Sequence, residues 1–314
     1  MIAWLVISSY RHDEDVARIL SEVHRCDQRI IDRVLVVDSE GTGAIPKLIE
    51  ESGWGDVIYR SYGWNLGSGA NLCERLRIAA EAGADYAYAL NHDGHFDAGV
   101  VSALLKATEP LENLGAAYPL SYLTSAGAYN LTGTRELPLS AKLAPSRPSE
   151  SLIDVFWSSS NGALYSLEPV RRGIVPWAAM WMGWEDLEYG WRLAGHGYRQ
   201  VIVCDAIYLD NYEYKKTWFG KTVDKPAWRT YYQARNLILA IRRSRNQPLY
   251  YVVAAYRLLL EFGLILVARN CKGERTKLLF RGAINGLRTS MDGLSETVQR
   301  GPAGVRSSPH SAAP

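Results

Sequence analysis

Arg33-Val34-Leu35-Val36-Val37-Asp38-Ser39-Glu40-Gly41-Thr42 is the stretch on which the reading of this chain turns. A short aliphatic run ends on a carboxylate and opens into a polar turn, the form of a strand delivering a functional group to its end. The same form recurs on both sides. Strands are expected at residues 2–8, 33–38, 56–60, 85–90 and 115–120, with amphipathic stretches at 13–25, 44–51, 67–82 and 98–107 between them. This alternation predicts an α/β fold, a mostly parallel sheet with helices on both faces. Ligands of such sheets sit beyond the carboxyl ends of the strands. Attention therefore falls on Ser8-Ser9-Tyr10, Asp38-Ser39-Glu40 and Asn91-His92-Asp93.

Residues 122–150 are rich in Ser, Thr, Gly and Pro and read as a loop or short-strand excursion. Order returns over 153–165, followed by a Trp-rich segment, a helix over 185–194, a strand pair near 199–210 and helices from 228 to 291. Residues 292–314 have the composition of a disordered tail. The expected organisation is a body over 1–227, a basic helical segment over 228–291 and that tail.

Composition narrows the class. With 47% hydrophobic and 22% charged residues in 314, the chain has material for a buried core and is neither disordered nor fibrous. The cysteines Cys26, Cys73, Cys204 and Cys271 form no CxxC pair, so reduced thiols in a cytoplasmic setting are expected. The overall charge of +2 conceals an asymmetry. Residues 229–288 hold 12 Lys/Arg against two acids, leaving 23 bases and 31 acids elsewhere. A basic segment on an acidic body points to an anionic partner or to solvated helix faces. The apolar stretch over 249–268 is interrupted by Arg257 and Glu261. With Arg242, Arg243, Arg245, Arg269, Lys272, Arg275 and Lys277 nearby, it reads as an interfacial segment on anionic lipid at the inner face of a membrane. A helical cap or homodimer contact is the competing reading. No nucleic-acid module is present, so no such partner is expected.

Two glycine motifs fail on inspection. Gly67-Ser68-Gly69-Ala70-Asn71-Leu72 lacks the third glycine of a dinucleotide fingerprint, and Gly220-Lys221-Thr222 lacks the glycine and strand of a phosphate loop. Others carry chemistry. Asp38 can accept hydrogen bonds from a base or ribose, or cap the next helix. Asp93 can bring a hard divalent cation, Mg2+ or Mn2+, to a diphosphate, or be a turn residue beside Gly94. His92 and His95 are expected to be solvated loop residues. In Trp184-Glu185-Asp186-Leu187-Glu188, the acids suit a helix first turn, and one of them can act as a general base toward a hydroxyl. Glu188 and Arg192 are spaced for an ion pair. Trp177, Trp181 and Trp184 offer flat faces to sugar rings, or pack in the core.

In their order along the chain these pieces resemble the family-2 inverting glycosyltransferases of GT-A fold, particularly the bacterial rhamnosyl- and galactofuranosyl-transferase group. Val36-Val37-Asp38-Ser39 is similar to that family's nucleotide-binding strand end, and Asn65-Leu66-Gly67-Ser68-Gly69-Ala70-Asn71 to its glycine-containing helix start. Leu90-Asn91-His92-Asp93 stands where the family has its acidic metal motif, and Trp184-Glu185-Asp186-Leu187-Glu188 with Arg192 where it has its base. Tyr231-Tyr232-Gln233-Ala234-Arg235-Asn236 resembles its Tyr-Tyr-x-x-Arg-Asn run. The resemblance implies transfer of a sugar from a nucleotide-diphosphate-sugar to a glycan or lipid-linked acceptor, in cell-surface glycan or glycolipid synthesis. It implies donor contacts from Ser8, Tyr10, Asp38, Ser39, Asn65, Gly67, Asn71 and Asn91, and acceptor contacts from Trp181, Trp184 and Arg192. Asp186 would be the base, with Glu185 positioning the acceptor, and Asp93 the metal ligand. Asn91 replaces a common Asp, and Tyr208-Leu209-Asp210-Asn211-Tyr212 lacks the histidine that relatives often place there. Asp210 then substitutes as a ligand, or metal dependence is altered. A non-catalytic nucleotide-sugar or glycan-binding module of the same fold is the alternative function.

Overall fold

The computed structural model describes residues 2–26, 30–139, 142–210, 215–217, 220–222 and 226–291. The expected tail over 292–314 lies outside them, as do Asn211 and Tyr212.

The strand–helix alternation is as expected. It runs β1 (Ala3–Ser9), α1 (Asp13–His24), β2 (Arg33–Asp38), α2 (Ala44–Ser52), β3 (Val57–Ser61), α3 (Gly67–Glu81), β4 (Tyr86–Asn91), α4 (Ala98–Thr108) and β5 (Leu114–Leu123). Period-two burial in β1 explains the layering. Leu5 and Ile7 pack with Val16, Ile19, Val101 and Leu104 of α1 and α4, while Trp4 and Val6 pack with Leu72 and Leu76 of α3. Each such fully buried aliphatic side chain contributes about 1.5–3 kcal/mol over its exposed state. At α4 the Asp97 carboxylate caps the helix, accepting from Gly99 N at 2.8 Å and Val100 N at 3.2 Å.

The excursion after β5 contains short strands β6 (Ala128–Asn130), β7 (Leu143–Ala144) and β8 (Leu152–Asp154). Then follow β9 (Ala163–Ser166), α5 (Glu168–Arg171), α6 (Glu185–Gly195), β10 (Arg199–Asp210), a small ribbon of β11 (Lys215–Thr217) and β12 (Gly220–Thr222), α7 (Trp228–Ser244), α8 (Pro248–Ala268) and α9 (Lys272–Arg288). The sheet order is β3-β2-β1-β4-β9-β5-β10-β8, with β9 antiparallel between β4 and β5. The strand pair expected near 199–210 is instead one long strand. β10 follows β5 in parallel with a register jump between Val203 and Ile207, and its antiparallel partner is the distant β8. Cys204-Asp205 mimics a turn in sequence but lies at this irregularity.

A third cluster joins the C-terminal helices to this body. Trp177, Met180, Leu187 and Trp191 are buried with Leu237, Ala240 and Ile241 of α7 and Tyr250 and Ala254 of α8.

Candidate active site

β2, β1 and β4 are adjacent parallel strands, with Ser8 level with Val37 and Asn91, and Ser9 level with Asp38. Three of the expected strand-end groups therefore meet on one edge. Asp38 is buried, accepts from the Tyr59 hydroxyl at 2.8 Å and closes its own turn by accepting from Glu40 N at 3.2 Å. It does not cap α2, whose N-cap is Gly43. Burial and the Asp38 carboxylate both push the Tyr59 phenol pKa up. Ser39 is tied by its backbone to Ser9 and Trp64, and Asn71 donates to Val37 O at 3.0 Å from inside the core. Ser8 Oγ donates to Asn91 Oδ1 at 3.1 Å. Tyr10 lies beside Arg11, which pairs with Glu40 and so links the ends of β1 and β2.

Beyond β4 the chain turns tightly, Gly94 N donating to Asn91 O at 2.9 Å. A Cβ on Gly94 would lie 2.9 Å from Asn161 Oδ1 and 3.0 Å from the Tyr208 hydroxyl, so a larger residue would crowd both groups. Asp93 is exposed here. The Tyr208 phenol is pushed up to about 12, chiefly by burial and further by the negative charges of Asp210 and Asp93. One tyrosine thus feels the charge of both carboxylates although they are far apart in sequence. His92 stacks on His12 with ring centroids 4.0 Å apart, and His95 stacks on Tyr208 at 4.4 Å, so neither is the simple solvated residue expected. Burial and the neighbouring His12 hold His92 below the usual imidazole range. Among the described residues no three His, Cys, Asp or Glu side chains gather as a metal cluster. The exposed Asp93 carboxylate is of the oxygen-donor type that suits a hard cation.

The acid pair opens α6. Glu185 is buried and accepts from the Ser68 hydroxyl of α3. Asp186 is partly buried, and its Oδ1 has no hydrogen-bond partner among the described residues. Its pKa is pushed up to about 7 by desolvation first and the Glu185 charge second, against hydrogen bonds from Ser160 and the charge of Arg75. Arg75 is wholly buried and donates to Val6 O at 2.9 Å and Leu90 O at 2.8 Å. Desolvation lowers this guanidinium to about 10. Asp186 and the Asn91–Asp93 turn are bridged by consecutive residues. Ser160 lies near enough to lower the Asp186 pKa, and Asn161 Oδ1 accepts from Asn91 N at 3.0 Å.

The segment leading into α6 is held from two sides. Gly67 has φ of 71°, and a Cβ there would sit 2.3 Å from Trp181 O. Asn65 Oδ1 accepts from Gly67 N at 2.9 Å, its carbonyl accepts from Trp181 Nε1 at 3.3 Å, and Gly69 N donates to Trp181 O at 3.1 Å. From α7, the buried Asn236 amide donates to the carbonyls of Met180, Met182 and Gly183, Arg235 donates to Ala179 O, and Gln233 O accepts from Trp184 Nε1. Trp181 and Trp184 have φ of 52° and 66°, a left-handed backbone that these contacts impose.

Asn65, Gly67 and Asn71, expected to touch a donor, also hold the local backbone through these contacts. Trp181 packs on Tyr232 with centroids 4.6 Å apart, and Trp184 lies under Arg257, while both residues stay partly exposed. Arg192 pairs with the fully buried Glu188 at 2.6 Å and donates to Val175 O, the structural alternative its spacing allowed. Sequence reasoning missed Ser68, Arg75, Ser160, Asn161 and Tyr208. Only Arg75 left a signal, as an arginine among the small and apolar residues of α3.

No protein-family model matches this sequence, and no curated protein matches it. Solved structures do. Residues 1–349 of TarS from S. aureus superpose with a TM-score of 0.59 at 12% identity, covering 92% of this chain and 81% of that one. The mannosyltransferase PcManGT from Pyrobaculum calidifontis, solved with GDP-Man and Mn2+, gives 0.54 at 15% identity over 91% of this chain and 87% of that one. GalNAc-T7, solved with UDP, GalNAc and Mn2+, gives 0.59 at 10% identity over 96% of this chain and 58% of that one. All three are glycosyltransferases of GT-A architecture. At these identities the likeness concerns the backbone, and the chain has the GT-A glycosyltransferase fold.

Proposed function

We propose that this protein transfers a sugar from a nucleoside-diphosphate donor to an acceptor hydroxyl with inversion, and that Asp186 is the general base. One observation carries the reading: a carboxylate raised to about 7, one oxygen buried without a protein partner, stands at a helix start beside the strand-end turn that bears Asp93. A base needs a pKa near the working pH and reach to the proton it takes. The similar structures solved with UDP-GlcNAc or with GDP-Man and Mn2+ support a nucleotide-sugar as donor.

Ser8, Tyr10, Asp38, Ser39 and Asn91 then face the nucleotide at the sheet edge. Asp93 and Asp210 would hold a divalent cation, which supplies charge neutralisation for the departing diphosphate. Asp186 accepts the acceptor's hydroxyl proton as that oxygen bonds to the anomeric carbon and the carbon–phosphate-oxygen bond breaks. Arg75 beneath it favours the ionised carboxylate, and Ser68 fixes Glu185 for orienting the acceptor. A glycan hydroxyl, free or lipid-linked, is the acceptor class.

The test is titration of the whole protein with UDP, GDP and dTDP with and without Mn2+, followed by NMR of the anomeric proton of the product. Mn2+-dependent nucleotide binding and an inverted product are expected. Absence of nucleoside-diphosphate binding, or a retained anomer, overturns the reading.

A further inference from the structure

Ten of the thirteen exposed large hydrophobic side chains among the described residues lie on α8 and α9. On α8 they are Leu249, Val252, Tyr256, Leu259, Leu260, Leu266 and Val267, which at 100° per residue fall within an arc of about 120°. The opposite face packs on the body through Tyr250, Val253, Ala254 and Ile265, and Arg257 donates inward to Leu139 O at 2.7 Å. Every exposed α8 side chain described is uncharged. Pro248–Val267 is long and apolar enough to cross a bilayer by composition. Its inner face, however, packs on the protein near both ends, an arrangement that suits a helix lying along a surface.

α9 runs beside it, with Phe262 of α8 and Phe280 of α9 in edge contact at 5.9 Å. Its exposed face combines Phe280, Ile284 and Leu287 with Lys277, Arg281 and Arg288, apolar on one edge and cationic on the other. The basic residues singled out in sequence mostly do not serve this face. Arg242 binds the carbonyls of Gly286 and Thr289, Arg243 pairs with Glu188, Arg245 with Glu136 and Arg269 with Glu261, and Arg275 is buried. The exposed cations are Lys272, Lys277, Arg281 and Arg288, against one exposed acid on α9, Glu274.

We propose that the α8–α9 face docks on an anionic phospholipid surface. An apolar stripe about 30 Å long with a cationic border is what an interfacial helix presents to lipid. A second copy would bring a surface of the same sign against this border, and in a two-fold contact the same patch meets itself. Residues 292–314 offer only Leu294, Val298 and Val305 as large aliphatic cover. The inference stands independently of the transfer chemistry.

Co-sedimentation of the full chain with phosphatidylcholine vesicles, with and without phosphatidylglycerol, tests it. Binding is expected to the anionic vesicles and to weaken in high salt. Lys277→Glu, Arg281→Glu and Arg288→Glu together should lower the partition coefficient by about fivefold or more for each charge. Val252→Asp with Leu259→Asp should lower it at least about tenfold while leaving the melting temperature unchanged, since both sites are exposed. Failure to bind, or equal binding to neutral and anionic vesicles, overturns the proposal. So does a dimer, seen by sedimentation velocity, that the Val252→Asp and Leu259→Asp pair dissociates without any vesicle binding.

Discussion

The start of α6 and the outer face of α8–α9 are opposite departures from the ordinary arrangement of a globular protein. Around α6, charges are inside: Arg75, Glu185 and Glu188 are buried, and Asp186 carries a buried oxygen. Across α8 and α9, Leu259 is 69% exposed and Val252 65% exposed, with no charged side chain between them on that face. Buried polar groups and exposed apolar patches are the informative exceptions in a fold. The first is costly in stability and suits chemistry; the second is costly in solubility and suits a partner. Substitutions in the two regions should therefore behave oppositely.

Asp186→Asn gives the largest effect. Transfer should fall by roughly 10²–10⁴-fold, with nucleotide affinity changed less than about threefold, read by donor consumption and calorimetry. In the unmodified protein, kcat/KM should rise with pH through about 7 as Asp186 ionises. A flat profile between pH 5 and pH 9, a span of roughly four units centred on that value, would break the assignment.

Stability gives the next test. Gly67→Ala places a Cβ 2.3 Å from Trp181 O at φ of 71°, and should cost about 2–4 kcal/mol in denaturant unfolding. Asp186→Asn should do the reverse. Its folded pKa lies above the unfolded carboxylate value of 3.8, so ionisation opposes folding as pH rises from about 4 to above 7. Asparagine should therefore raise the unfolding free energy at pH 8, by up to a few kcal/mol at about 1.4 kcal/mol per unit, and leave it unchanged near pH 3.

Arg75→Met removes a cation that favours ionised Asp186, and should move the acid limb of kcat/KM upward in the pH profile. The smallest effect is expected on the outer face. Leu259→Gln should change neither melting temperature by more than about 0.5 kcal/mol equivalent nor transfer to a soluble acceptor.

Much of the fold was legible because β1, β2 and β4 are compact apolar runs and the helices beside them pack apolar side chains onto the sheet. β9 was not, because it enters between β4 and β5 from more than forty residues downstream. Periodicity is local and carries no trace of such a pairing. The positions of Asp38, Asn91, Asp93 and Asp186 at element ends were legible for a similar local reason. The backbone-holding work of Asn65, Gly67 and Asn71 was not legible: their side chains or lack of them also shape backbone, which a motif alone does not reveal. Ser160 and Asn161 sit in a serine-rich loop with no pattern, and the inward turn of five of the C-terminal arginines depends on tertiary neighbours such as Glu136 and Glu188.

Asn236 binds three carbonyls just ahead of α6 from a helix that leaves the ribosome some fifty residues later. The aim of the carboxylates is thus assembled late in synthesis. A nascent chain that has completed its sheet already holds Glu185 and Asp186, yet lacks the brace on the segment that leads into them. Activity assays on prematurely ended translation products would see this as a sharp threshold, crossed only when α7 has emerged and docked.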